Sequence, residues 1–493
     1  MAFIVILLFP CITLKSQNNF TLLISTDQYE KFGDAVEDEN GNYFFAGYRT
    51  ELYSPEDHGY LIKVNSNGDI LKENTYALLD SAIVFHRIII LNDSLIVIGL
   101  KGSVEIGHND ILTCMILDTN LNLIRYSSNS ILPDYYMAGI NSLISTSGHI
   151  VLTGIAIRKD NLDDEDIFLY EMTRDLDSIR CAVDQREYIQ IGMELLEDPR
   201  NNFYKVFGHG YYPGTIPGYD ELITFDPDFN FVSVDTIAWQ LYSQHTAVWL
   251  DDSTYLLTGH KVLPNPTKRD IGIAKLTRDD ELLNAKHFGK DGDTVTYAGV
   301  NNNVDFVTRD NIYFGGTTNF IVNQWPWQTD PSWIILINLD SNLNVNWQRF
   351  YGGDAFYHLY GLLATQDGGC LMYAERYDAN IQFEEYDVYI LKVDTNGLLT
   401  SVYDIPNVAP DELAIYPNPA TDQITAQFPG VSNIHQKTLE IYNSLGESVK
   451  SIFLQDKQDR QRVNVSDLPV GIYYVSLLSQ AKRLATGKFV IVR

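Results

Sequence analysis

Five aromatic residues in loop segments, Tyr211, Tyr212, Trp325, Trp327 and Tyr377, are the side chains of this sequence best suited to chemistry with a ligand. That chemistry is binding: large rings offer flat apolar area with a polar edge, and acids in the same loops, Asp163, Asp164 and Glu384, can accept hydrogen bonds. Patterns that catalysis leaves in a linear sequence are missing. There is no HExxH, no GxSxG, no phosphate-cradling glycine loop and no CxxC pair, so no catalytic residue, metal ligand or cofactor is assigned. The turns "NSNGD" at Asn65 and "DTNG" at Asp394 alternate oxygen-bearing side chains like a calcium loop, but neither carries the distal glutamate, and both read as hairpin turns in which Asn and Gly supply positive φ. His86, His209 and His260 stand beside strands, where a hydrogen-bonded structural role is expected. After Cys11, the cysteines are Cys114, Cys181 and Cys370, an odd number set far apart, and they read as buried free thiols.

Those loop aromatics must be positioned by a scaffold, and the scaffold is a repeat. "GYLIKVNSNG" at 59, "DILTCMILDTN" at 110, "DIFLYEMTRD" at 166, "DELITFDPDF" at 220, "DIGIAKLTRD" at 270, "SWIILINLDSN" at 332 and "DVYILKVDTNG" at 387 share one plan, an apolar strand running into a polar turn. Their starts are 51, 56, 54, 50, 62 and 55 residues apart. A second strand precedes each, and six of the seven copies reach a glycine at the same place: Gly47, Gly99, Gly154, Gly208, Gly259 and Gly316, with Ala374 in the seventh. A residue without bulk there implies close backbone approach. With a third strand after the turn and a fourth ahead of the glycine strand, the period describes one blade of a seven-bladed β-propeller over residues 20–404. Both "FTLLIS" and "LLTSVYD" resemble the outermost strand, so either end can complete the last blade. The connections between second and third strands all emerge on one rim, where the five aromatics lie. "TQDGGCLM" around Asp367 resembles the aspartate box of propeller sialidases, but it occurs once, and turn formation accounts for Asp367, Gly368 and Gly369.

Composition narrows the partners. With 35 basic against 64 acidic residues the net charge is −29, which repels nucleic-acid phosphates and anionic lipid. Residues 2–14, "AFIVILLFPCITL", are too short for a stable membrane span and match a signal-peptide core, giving a signal peptide at 1–17. No Lys or Arg precedes that run.

From Asp411 onward the period stops and about eighty residues of short alternating strands follow, a β-sandwich plan, Ig-like in type. This segment resembles the type A C-terminal sorting domain of cargo exported by the bacterial type IX secretion system. The resemblance is carried by Tyr416, Pro417, Asn418 and Pro419, by the hairpin Asn443 to Gly446, by Leu468, Gly471, Tyr473 and Tyr474, and by Gly487 with Lys488. It implies the secretion machinery as partner, cleavage near the linker 405–412, and a protein secreted by, or attached to the outer surface of, a Gram-negative bacterium, with the sorting domain at 413–493. "YPNPATD" reads as a rigid stand-off ahead of that domain. The expected function is a secreted or cell-surface protein whose propeller binds a glycan or a protein. The alternative is an extracellular glycan-processing enzyme whose carboxylates converge from different blades near the central channel without a linear signature.

Overall fold

The computed structural model describes residues 18–492 apart from 27, 52–56, 78–80, 104–107, 187–188, 212–218, 238, 240, 244–245, 263–268, 290–294, 381–384, 400–410, 428–436, 444–447, 455–459 and 480–481. The expected signal peptide and most of the expected linker lie outside the described residues. The chain is nearly all β and divides into two compact units, residues 1–401 and 402–493.

Among the described residues, the first unit holds seven antiparallel sheets in sequence. The first is typical: Gln28–Glu37, Tyr43–Glu51, Asp57–Val64 and Ile70–Tyr76 pair in that order. Middle strands such as Trp333–Leu339 and Asp387–Val393 are buried almost throughout, because each sheet is covered on both faces by its neighbours. Outer strands such as Phe231–Thr236 are largely exposed. In the seventh sheet the fourth strand comes from the other end of the chain: Phe20–Ile24 pairs with Asp387–Val393, Phe20 opposite Lys392 and Ile24 opposite Val388.

The repeated glycines have a steric cause. In several sheets the first strand carries a bulge where it faces the glycine, and its main chain presses onto that residue. A Cβ on Gly47 would stand 1.8 Å from the Lys31 carbonyl oxygen, one on Gly99 2.4 Å from that of Val84, and one on Gly316 2.3 Å from that of Tyr297.

The polar turns are closed by their own carboxylates. Asp118 accepts the main-chain N–H of Asn120 at 2.9 Å and of Asn122 at 2.8 Å, and Asp226 and Asp340 repeat the pattern. Glycine supplies the positive φ at Gly68 and Gly397, as expected, but Leu121, Leu176, Phe229 and Leu343 supply it elsewhere with φ between 58° and 68°. These four side chains are buried, and that burial offsets the left-handed cost.

In the second unit a five-stranded sheet (Asp411–Glu412, Lys482–Ile491, Gly471–Ser479, Lys437–Tyr442, Ser448–Phe453) and a three-stranded one (Ala414–Tyr416, Gln423–Gln427, Arg460–Asn464) share one core. Leu413, Ile424, Leu439, Val475, Phe489 and Ile491 are among its members.

Candidate functional site

The first strands of the seven sheets enclose a cavity of about 600 Å³. Strand alternation sends residues of equal register to equal heights in it. Paired opposite the residue three before each repeat's glycine, or before Ala374 in the seventh, stand Val36, Ile89, Leu143, Leu196, Val248 and Leu363, all aliphatic, and in the sixth sheet Asp305. Deeper, beside the bulges, lie Asp34, Arg87, Asn141, Glu194, Thr246 and Asn302. Thr146, Glu197, Pro199 and Trp249 line it toward the strand ends.

The carboxylates are engaged by main-chain donors, mostly of a neighbouring sheet. Asp34 accepts the N–H of Ile88 at 3.1 Å, of Ala35 at 2.9 Å and the Asn302 amide at 2.7 Å. Glu194 accepts Asn141 Nδ2 at 2.8 Å and the N–H of Ala247 at 3.3 Å. Asp305 accepts the N–H groups of Phe306 and Ala364, both at 2.8 Å, and Glu197 accepts that of Thr146 at 2.6 Å. Glu37 of the first sheet takes the N–H of Gln366 in the seventh at 2.8 Å, joining positions 329 apart in sequence. These acids therefore act as clips between sheets. Arg87 donates to Asn302 Oδ1 at 3.0 Å and lies 3.8 Å from Asp34, and its Nε has no hydrogen-bond partner. Burial pushes Asp305 up to about 6, and Asp34 adds to it; Asp34 is itself raised by burial, against the pull of Arg87.

Near the opposite ends of the first strands a second polar group is sealed among rings. Glu375 accepts the Tyr29 hydroxyl at 2.7 Å and faces Lys31 at 3.7 Å and His358 at 3.6 Å, while the Lys31 ammonium sits 4.1 Å from the Tyr360 ring centroid. Burial opposes the Glu375 charge, yet Lys31, His358 and Tyr29 hold its carboxyl below the ordinary range.

Of the expected rim residues, Trp327 and Tyr377 come together: Trp327 stacks on Tyr386 at 4.9 Å and meets Tyr377 edge-on at 5.3 Å, with Phe320 and Phe356 in the same cluster. The buried Gln328 pins their loop, accepting the Ile321 N–H at 2.7 Å and donating to the carbonyls of Asn319 and Asp330 at 2.8 Å. Trp325 is half exposed. Tyr212 and Glu384 fall outside the described residues, as does the side chain of Tyr211. Asp164 is 3.6 Å from Arg158. Asp367 closes its turn through the Gly369 N–H at 3.0 Å and pairs with the buried Lys392 at 3.0 Å. His209 and His260 are hydrogen-bonded, to Asp220 and to the Ala298 N–H. His86 departs from expectation: its Nε2 has no partner, and burial, with Arg87 and Lys31, pushes its pKa down to about 4. Cys114 and Cys370 are buried, but Cys181 is exposed because it lies on an outer strand.

The channel acids were missed by reading motifs, since the same register slot holds Asp, Arg, Asn, Glu or Thr in different repeats. Counting back from each repeat's glycine onto the preceding strand would have found them.

In the second unit "YPNPATD" is part of the folded sheet system and no spacer. Asn418 Nδ2 donates to the Lys488 carbonyl at 3.0 Å and its Oδ1 accepts the Val490 N–H at 3.0 Å, while the Ala420 N–H bonds Val490 O at 2.8 Å. Both proline peptides of the motif, at Pro417 and Pro419, are cis, and Tyr416 is exposed. Tyr473 stacks on Phe489 at 5.5 Å and donates to Pro469 O at 2.8 Å. A Cβ on Gly487 would meet Leu413 O at 2.9 Å, whereas one on Gly471 would find only the Tyr473 ring at 3.8 Å. Lys488 is exposed, and Gly446 lies outside the described residues.

Residues 414–492 match the family described as "Secretion system C-terminal sorting domain". The chain thus carries a type IX sorting tail that engages that secretion machinery, and the protein is destined for the outer cell surface or the extracellular space. Among the described residues no helix is long and apolar enough to cross a membrane. No curated protein matches the chain. Similar solved structures include the β-propeller domain of the Trilobed protease from Pyrococcus furiosus (9% identity, 77% of this chain and 99% of that one, TM-score 0.42). A GH43 β-1,3-galactosidase is similar at 10% identity over 57% of this chain and 95% of its own, TM-score 0.33. PorZ, a surface component of the type IX secretion system of Porphyromonas gingivalis, is similar at 11% identity over 96% of this chain and 70% of its own, TM-score 0.28. Likeness at this level carries neither ligand nor reaction across.

Proposed function

We propose that the first unit is a closed seven-bladed β-propeller over residues 20–404, preceded by a signal peptide at 1–17 and followed by a linker at 405–412 and an Ig-like sorting sandwich at 413–493. We propose further that the exported propeller is a non-catalytic binding protein for an extracellular glycan or protein. The observation that carries this reading is the cavity whose acids are already held by main-chain N–H groups: carboxylates fixed in this way can orient a ligand and are poorly placed to move as nucleophile or base. The expected rim residues Tyr211, Tyr212, Trp325, Trp327 and Tyr377 belong to connections at the other ends of the first strands, and we propose them as a second contact surface separate from the cavity.

A second reading, a glycan-processing enzyme, is favoured by one observation: Asp34, Glu194, Glu197 and Asp305 converge on one cavity from three different sheets. A polysaccharide array scored for both retention and release of reducing ends separates the two. Retention without release is expected, and release abolished by Asp305→Asn would establish the enzyme.

A further inference from the structure

The deeper polar groups of the cavity have little left to give a polar guest. Each oxygen of Asp305 accepts a main-chain N–H, and Asp34, Glu194 and Asn302 are bonded to neighbouring sheets. Asn141 donates to the Met193 carbonyl at 3.1 Å and accepts the Ser142 N–H at 2.6 Å, while Thr246 donates to the Asn301 carbonyl at 2.5 Å. Arg87 donates to Asn302, and its Nε is sealed from the cavity. A polar ligand would trade its water for groups whose bonds are already made.

The contact on offer is aliphatic. Val36, Ile89, Leu143, Val248 and Leu363 are only partly buried, yet each packs from behind on a different hydrophobic core. Anchored in this way the collar stays open around a space of about 600 Å³, and an apolar group entering it gains the burial that these side chains lack.

Charge restricts the guest further. The turns that follow the first strands lie at the strand-end mouth of the cavity, and in four of the seven sheets they expose an acid: Glu39, Asp93, Asp252 and Asp310. The bases of those turns are engaged, Arg309 3.7 Å from Asp251 and Arg200 bonded to Asp198 and Asp279. An anionic head is repelled there, and cations are attracted. Because the acids come from several sheets, the matching guest carries several cations around an apolar tip. A protein segment with Leu or Ile between Lys or Arg has that form; a single-headed amphiphile does not, and neither does a neutral glycan.

We propose that the channel receives the aliphatic side chains of a protein segment flanked by Lys or Arg. This rests on the binding reading above and names the protein, not the glycan, as the ligand of the cavity.

The test is calorimetric titration of the full chain with the capped peptide Lys-Lys-Leu-Leu-Lys-Lys, with a second that has Ser for both leucines, with a third that has Glu for every lysine, and with octylammonium. The leucine peptide is expected to bind saturably and at least about tenfold more tightly than the serine peptide, and the glutamate peptide is expected not to bind. Leu143→Gln and Val248→Gln, made singly, place a polar group in the collar and are each expected to weaken the leucine peptide by about threefold or more, with thermal melts establishing that they fold. Equal binding of the leucine and serine peptides, binding of the glutamate peptide, tighter binding of octylammonium than of the leucine peptide, or unchanged affinity in the folded variants overturns the proposal. If the array retains a polysaccharide while the leucine peptide fails, the channel proposal falls and the binding function stands. If the array retains nothing and no peptide binds, both fall.

Discussion

Glu30 shows what a single buried acid does to this fold. Its side chain is fully buried, accepts from the Thr26 hydroxyl and lies 3.5 Å from Arg49, yet burial outweighs both and pushes its pKa up to about 7. A raised acid binds its proton more tightly folded than unfolded, so its contribution is favourable at low pH and is lost as pH rises from about 4.5 through 7. Asp166, also raised to about 7 by burial, acts with the same sign. Glu30→Gln removes the charge, so the melting temperature of the variant relative to wild type is expected to rise between pH 5 and pH 8, with a swing on the order of 1 to 3 kcal/mol. A pH-independent difference would refute that assignment. The glycines make a separate prediction. Gly47→Ala would drive a methyl into the Lys31 carbonyl and is expected to cost about 1 to 3 kcal/mol or more, whereas Gly471→Ala, with only a ring at 3.8 Å, should change little. Paired denaturant titrations of the two variants measure the contrast.

At the scale of elements the decisive strand is Phe20–Ile24. It contributes buried Phe20 and Ile24 and supplies the fourth strand of the seventh sheet, so the two ends of the repeat array are held by one antiparallel pairing. Gln366 and Glu37 add a clip at the same seam. Deleting residues 18–26 is therefore expected to destabilise the propeller unit by about 3 kcal/mol or more and to expose the edge of Asp387–Val393 to intermolecular pairing. Chemical denaturation with light scattering checks both effects, and a truncated chain as stable and monomeric as the parent would mean that the pairing contributes nothing to closure.

For the molecule as a whole, the sorting unit is a folded object with its own core, and Asn418 ties the YPNP segment to its last strand. It should act as a folded surface and not as a linear peptide. Deleting residues 411–493 is expected to leave a folded propeller in the periplasm of a host with the secretion machinery, and Asn418→Ala is expected to lower surface delivery by weakening that attachment. Surface labelling against periplasmic fractionation reads both. Efficient display of the truncated chain would contradict a sorting role for this unit.

The sequence by itself determined the periodic strands, the glycine slot, the change of pattern at Asp411 and the sorting resemblance, because each depends on residues close in the chain whose spacing follows strand geometry. Tertiary structure alone decided which end completes the seventh sheet, since "FTLLIS" and "LLTSVYD" have equal strand character and only pairing across the whole array chooses between them. It also decided that "YPNPATD" belongs to the sheet system, through hydrogen bonds to residues 70 positions on. The channel acids were hidden for a related reason. Their role as clips depends on which N–H group the next sheet presents at that height, and the packing of one sheet on the next sets that height while leaving the residue type free to differ from one repeat to the next.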